Sequence, residues 1–397
     1  MSSSTGSRAV SMVVYARYPE DPRVRREAEA LTRAGWSVTV LCLAGPGASS
    51  TETVAGVRVR RLPLRAVRGG RMRYAYQYLT FLGLAALALA TGASRPRVVH
   101  VHSLPDFLVF SALPARLRGA RVILDLHEAF PEIVAARFRL PPEATLVRLA
   151  VAAETLSSLV AHRVLTVNDF IRDLYVRRGI PADKIEVVYN ASTPPGRRRR
   201  REDRLVYAGG INRERDLTTC LRAFARLRAT RPLRFTVYGQ ADPRYLEELL
   251  ALAKALGVSP DVEFPGHVPQ ARAQEALAGS AAGLVPFERN PLTELGVPNK
   301  VFEAALLGLP LVMADLPALR SLFTGCGQFY APGDAEDLAV KIGRAIDGGP
   351  EIEAGIESAA RVASDLSWDR MEARLLAVYE DRRPAPSAAS PVARAGQ

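Results

Sequence analysis

Lysine is scarce in this 397-residue chain: Lys184, Lys254, Lys300 and Lys341 stand against a combined lysine and arginine count of 53. Arginine therefore carries the formal net charge of +12. With the abundant alanine, that bias fits a GC-rich genome, so part of the basic character is codon usage. Cysteine is scarcer. Cys42, Cys220 and Cys326 are too scattered for a metal-ligand spacing or a disulfide framework and read as reduced, structural thiols. The start, MSSSTGSRAVSMVVY, lacks the charged and apolar regions of a secretory signal, which makes the cytoplasm the expected compartment. No basic run is interleaved with aromatics, so nucleic acid is not expected as a partner. There is no short repeat, no G-x-G-x-x-G and no D-x-D pair at a strand end.

Long apolar runs are also missing, with one near exception. Leu79 to Gly92 (LTFLGLAALALATG) carries no charge but falls short of the roughly 18 residues of a spanning helix. It reads as a buried core helix, or as a helix dipping into a membrane surface. Arg65, Arg68, Arg71 and Arg73 precede it, as in a surface-bound segment.

What is present is an alternation of short apolar strands with longer helical patterns, the mark of βαβ units and parallel sheets. Strands are predicted at Met12–Tyr15, Ser37–Cys42, Val57–Arg61, Val98–His102, Val122–Asp125, Val164–Val167 and Ile185–Tyr189. The pattern restarts at Leu205–Ala208 and continues at Phe235–Tyr238, Val262–Phe264, Gly283–Val285 and Leu311–Ala314. Two Rossmann-like α/β domains in tandem follow, residues 1–192 and 204–366. Pro194-Pro195-Gly196 and the arginines 197–201 suit no packed core and make 193–203 a linker. Residues 367–382 form an amphipathic helix, and the Pro/Ala/Ser-rich tail 383–397 is expected to be disordered.

Ligands of open α/β sheets bind beyond the carboxyl ends of the strands, and several candidates stand there. After the first strand, Asp21 is placed to cap the next helix and Pro22 to open it; the functional alternative puts this loop at the acceptor, with Arg17 and Arg23 meeting something anionic. His100 and His102 alternate onto one face, with no further metal ligand evident, so no metal is expected. Asp125-Leu126-His127-Glu128 is a polar cluster at a strand end, although His127 also reads as a satisfied core histidine. Gly209-Gly210-Ile211-Asn212-Arg213-Glu214-Arg215 is either a plain tight turn or a phosphate-holding one. In NPLTELGVPNKVFEAALLGLPLV, the amides from Gly296 through Val297, Pro298 and Asn299 to Lys300 precede a helix and suit a diphosphate, with the Lys300 side chain beside them. Glu303 is a helix N-terminal charge, or a carboxylate for a ribose diol.

In order and spacing, DPRVRREAEALTRAGWSVTVL, VVHVHSLPDF, VILDLHEAFPE, RVLTVND with IEVVYNAS, LVYAGGINRERDLTTCLRAF and PNKVFEAALLGLPLVMADLP resemble the retaining glycosyltransferases of the GT-B fold, family 4. The resemblance implies two Rossmann-like domains facing each other across a cleft, the closing helix packing back on the first. It implies a nucleotide-sugar donor, UDP-linked before GDP or dTDP, and no cofactor. Glu303 resembles the second glutamate of the E-x7-E motif, which holds the donor ribose. Arg215 lies at the phosphate-binding lysine, His127 at the histidine near the transferred sugar, and Gly266-His267-Val268 where the nucleobase is held. Gly209, Gly210, Arg213, Arg215 and Lys300 complete the donor set; His127, Arg215 and Lys300 are the catalytic candidates.

Two positions depart from the pattern. Leu295 stands at the first glutamate of the motif, with Glu294 one place away. Gly210 stands at the second phosphate-binding residue, with Arg213 nearby. The acceptor is expected to be a lipid-linked sugar or polysaccharide, or a natural-product aglycone, met by Arg17, Asp21, Arg23, His102 and Glu128, with peripheral membrane contact. Metal-independent transfer is the expectation. A non-catalytic nucleotide-sugar-binding partner and an epimerase or phosphorylase on the same fold are the alternatives.

Overall fold

The computed structural model describes residues 8–67, 70–92, 95–191 and 202–382. Arg68, the arginine run 197–201 and the tail 383–397 lie outside the described residues. The chain divides into two compact units, one running to Tyr189 and resuming at Met371, the other spanning Asn190–Arg370.

The first unit begins with β1 (Ala9–Val13), α1 (Pro22–Arg33), β2 (Ser37–Leu43), β3 (Thr51–Val54), β4 (Val57–Leu62), α2 (Arg71–Thr91) and β5 (Val98–His102). A 3₁₀ segment (Asp106–Ala112) runs into α3 (Leu113–Arg116), followed by β6 (Arg121–Asp125), α4 (Phe130–Phe138), α5 (Thr145–Val160), β7 (Arg163–Thr166), α6 (Asp169–Arg177) and β8 (Ile185–Val187). Its sheet has the order β3-β4-β2-β1-β5-β6-β7-β8 and is parallel except for β3. The edge hairpin of β3 and β4 turns at Ala55 (φ 49°) and Gly56 (φ 81°), two left-handed residues that suit a twisted two-residue turn. β3 was not predicted, because TETV has no apolar alternation. The interior strand β5 is buried throughout, as a strand covered on both faces must be.

Helix α1 forms as its sequence dictates. The Asp21 carboxylate accepts from the amides of Arg23 and Val24, and Pro22 needs no partner in the first turn.

The second unit contains β9 (Arg204–Ala208), α7 (Leu217–Arg228), β10 (Arg234–Tyr238), α8 (Pro243–Ala255), β11 (Val262–Gly266), α9 (Gln270–Ala278), β12 (Gly283–Val285) and α10 (Asn299–Leu306). It closes with β13 (Leu311–Ala314), α11 (Pro317–Phe323), β14 (Gly327–Tyr330), α12 (Ala335–Asp347) and α13 (Pro350–Asp365). Its strands are parallel, in the order β11-β10-β9-β12-β13-β14. The short, glycine-led β14 escaped the sequence pattern. A last helix, α14 (Trp368–Tyr379), delivers Tyr379 into the first unit. The Tyr379 ring meets Trp36 edge-on at 5.1 Å, and its hydroxyl lies 2.8 Å from His100 Nδ1.

Candidate functional site

In the second unit the predicted donor residues gather at the carboxyl edge of β9 and β10 and at the start of α10. Gly209 leaves β9 with φ +156°, its amide donating to Tyr238 O at 3.0 Å. A Cβ at Gly209 would stand 2.6 Å from Lys300 Nζ, so the glycine makes room for the ammonium. Gly239, not predicted, is still more constrained: a Cβ there would fall 1.8 Å from Gly209 O.

Lys300 enters from the first turn of α10 and lays its Nζ 3.6 Å from the centre of the Tyr207 ring. The ammonium is shut off from solvent and donates no hydrogen bond to any of the described residues. Burial, then the positive charge of Arg215, holds its pKa well below the usual lysine value. The Arg215 guanidinium lies over the Phe287 ring at 4.4 Å, with a buried Nε that also lacks a partner. Two cations converging with buried nitrogens that bond no described residue, beside helix-start amides that no helical carbonyl can satisfy, form a site for a di-anion. Tyr207 and Phe287, the ring platforms for the two cations, were not predicted.

The remaining donor candidates divide. Glu303, on the same helix as Lys300, takes a 3.5 Å hydrogen bond from Gln274 Nε2 of α9. His267 and Val268 follow β11, where Gly266 O accepts from Gly239 N at 2.9 Å, so they share the edge through β10. Gly296, Val297, Pro298 and Asn299 lead into α10 after a 3₁₀ turn. Two candidates have other partners. Arg213 donates to Glu248 in an exposed ion pair and lies over the Tyr245 ring at 5.5 Å. Glu294 pairs with Arg289 at 3.0 Å, while Leu295 is buried core; neither restores the missing glutamate.

In the first unit, Asp125 organises the carboxyl edge. Its Oδ2 accepts from Arg23 Nε at 2.7 Å and lies 3.1 Å from Nδ1 of both His102 and His127; its Oδ1 accepts from Arg23 Nη2 at 2.8 Å. The neighbouring register of His102 and Asp125 on β5 and β6 brings these groups together. Burial opposes ionisation of Asp125, but Arg23 outweighs it and holds the pKa well below the usual carboxylate range. His127 is raised: burial disfavours its charge, and the Asp125 carboxylate more than offsets this. Donation from Nδ1 to Asp125 leaves Nε2 of His127 as the atom available to a substrate.

Arg23 and His102, predicted to meet the acceptor, are buried and engaged with Asp125, which also bonds His127. Asp21 is occupied as the α1 cap. Arg17 and Glu128 are exposed, Arg17 pairing with Glu20 at 3.1 Å. Glu27, His100, His102 and Asp125 offer ligand atoms within 4.8 Å of one another, a clustering the sequence did not reveal. Arg23 already supplies the cation, with Nε 2.7 Å from Asp125 and 3.2 Å from Glu27. The donor set therefore fits an internal arginine better than a metal ion.

Residues 21–191 match the family model described as a glycosyl transferase 4-like domain, and residues 202–347 match that of glycosyl transferases group 1. No curated protein matches. Among solved structures, sucrose-phosphate synthase from Thermosynechococcus elongatus superposes with a TM-score of 0.75 at 14% identity, covering 94% of this chain and 98% of that one. A UDP-forming α,α-trehalose-phosphate synthase from Burkholderia xenovorans gives 0.72 at 15% identity, over 94% and 99%. Anabaena HepE in complex with UDP and glucose gives 0.66 at 15%, also over 94% and 99%. These likenesses establish the fold.

Proposed function

Because this chain belongs to the glycosyltransferase group 1 family, matched in both of its units, we propose that it transfers a sugar with retention of configuration from a UDP-sugar to a lipid-linked sugar, a polysaccharide or a natural-product aglycone. The observation that carries the reading is the pair Arg215 and Lys300 at the start of α10, whose buried Nε and Nζ bond no described residue. A diphosphate supplies the two negative groups the pair lacks. As the anomeric carbon–oxygen bond breaks, charge builds on the leaving diphosphate, and fixed cations in a dry site stabilise that charge without reorganising. Glu303, on the same helix, is the group for the ribose hydroxyls. His127 offers Nε2 to the transferred sugar, held by Asp125.

The two cations take the place of a divalent ion, so transfer persists in chelator under this reading. Three buried cysteines outside any disulfide, Cys42, Cys220 and Cys326, fit a reducing cytoplasm. UDP is favoured because solved relatives of the fold are described with UDP or as UDP-forming. Titration calorimetry with UDP, GDP, dTDP and their sugar adducts tests the donor. UDP binds, and Glu303→Ala weakens it. Binding by none of the nucleotides to the folded protein overturns the reading.

A second reading, a nucleotide-sugar-binding partner without turnover, draws on the core leucine at position 295. It predicts nucleotide binding with no release of free diphosphate in the presence of any acceptor.

A further inference from the structure

We infer that the outer face of the helical layer formed by α2, α3 and α5 docks on a lipid bilayer bearing anionic headgroups. The three helices belong to successive crossovers, β4 to β5, β5 to β6 and β6 to β7, which advance across the sheet in one direction. Right-handed crossovers of one direction lie on one side of a sheet. Both α2 and α5 pack against the 3₁₀ segment Asp106–Ala112. Helix α3 ties their ends together: Arg118 donates to the carbonyls of Leu89 and Ala90 at the end of α2, and Arg116 to Val160 at the end of α5. Leu117, between those two arginines, is 87% exposed.

The outward side of such a layer is ordinarily polar; here it is apolar. Met72, Tyr76, Leu79 and Leu87 recur at helical spacing on α2, each more than half exposed. Leu149, Leu156 and Leu159 do the same on α5. The helix Met72–Thr91 is long and apolar enough to cross a membrane: its most apolar 18-residue window has a mean hydropathy of 1.2, and 28% of that window is buried. Leu79–Gly92 is thus buried along one side only, where the core-helix reading expected burial throughout. The opposite side of α2, with Gln77, Phe81, Ala85 and Leu89, is buried within the unit. Spanning would tear this side out of the fold, so the helix lies along the interface. An apolar face extending over three helices marks an interaction surface rather than scattered exposure.

Charge selects the occupant. Exposed Arg65 and Arg73 flank the start of α2, the loop of Arg65 being held by Gln77, which bonds Val67 N and O at 2.8 and 3.0 Å. Exposed Arg137, Arg139 and Arg148 flank the start of α5. None of these five has an ion-pair partner among the described residues. Residues 70–92 contain no acidic side chain; in 137–160, Glu143 is exposed and Glu154 buried. Crossover helices run antiparallel to their strands, so this basic rim borders the carboxyl edge where His127 stands. An apolar face with a basic rim at one end is complementary to acyl chains below anionic headgroups.

Flotation of the full chain with phosphatidylcholine vesicles, and with vesicles containing phosphatidylglycerol, tests the inference without reference to the transfer reaction. Association with the anionic vesicles at low salt is expected, weakened by added salt. The double variant Leu79→Glu/Leu156→Glu is expected to lose about tenfold or more of it, with an unchanged thermal melt. Arg73→Ala/Arg148→Ala is expected to erase much of the preference for anionic lipid. No association at low salt, or association indifferent to the two glutamates, overturns the proposal. So does a lipid-free dimer that the same glutamates dissolve while vesicles stay unbound, which would assign the face to a second copy of the chain.

Discussion

Asp125 Oδ2 stands 3.1 Å from His127 Nδ1 and 2.7 Å from Arg23 Nε, so one buried carboxylate both clamps an arginine and fixes the orientation of the exposed-edge imidazole. Asp125→Asn removes the charge while keeping the size. A misplaced reacting group costs on the order of 10²-fold in rate, so kcat is expected to fall by about that factor while donor affinity, built in the other unit, holds. Leaving Arg23 buried beside Glu27 alone is expected to cost about 3–5 kcal/mol of stability. Chemical denaturation and steady-state kinetics read the two effects separately. A loss of stability with kcat intact would leave Asp125 a fold element only.

A second carboxylate makes stability depend on pH. Glu154 is fully buried and its pKa is raised to about 7, by burial first, against the attraction of Arg178 at 2.9 Å. A raised carboxylic pKa means that the native state binds more protons than the unfolded chain. Its contribution is complete below the unfolded value near 4.3 and is lost as pH rises through about 7. Glu154→Gln abolishes that titration. Unfolding free energies at several pH values should show the wild-type decline lessened in the variant by up to about 1.4 kcal/mol per pH unit. Equal slopes would mean that Glu154 is ionised throughout the range.

The glycines at the donor edge make opposite predictions. A Cβ at Gly239 collides with Gly209 O at 1.8 Å, so Gly239→Ala must shift the β9 and β10 ends and is expected to lower both melting temperature and nucleotide affinity. A Cβ at Gly210 would meet no side chain or backbone atom of the surrounding fold nearer than 4.0 Å. Gly210→Arg is therefore expected to fold normally and, by adding a cation at this edge, to tighten nucleotide binding at low salt, an effect that fades as salt rises. Calorimetry at two ionic strengths decides it. Unchanged affinity would place position 210 away from the phosphates.

How far the sequence reaches is visible at these sites. The strands of both sheets that read as apolar runs are present, because period and turn chemistry are local. The edge strand β3 and the brief β14 were missed because neither carries that period. Lys300 and Arg215 were legible as charged residues near strand ends and helix starts. The rings beneath them, Tyr207 and Phe287, were not, since nothing local tells a platform from core. Arg23 was placed at the acceptor for a related reason: Glu27 is its neighbour one turn along α1, but Asp125, on β6, meets it only in the fold. One signal was available and went unused. Asp125 and His127 are two residues apart at a strand end, which turns both side chains to one side.

Lys300 yields the sharpest test of the anion site. Its pKa is depressed by burial and by Arg215 in the unliganded protein. Between that lowered value and the unfolded value near 10.4, the unfolded chain holds more protons, so this group's penalty on stability eases as pH rises. A bound diphosphate reverses the local field and raises the pKa again. Binding must then draw in up to one proton over the same window, and affinity must fall as pH climbs through it. UDP-glucose suits the measurement, because its diphosphate does not titrate there. Calorimetry in two buffers of different ionisation heat, between about pH 7 and 10, is expected to show net proton uptake that Lys300→Met abolishes. Binding without uptake anywhere in that range would mean that the ammonium does not meet the phosphates, and the donor site would then rest on Arg215 alone.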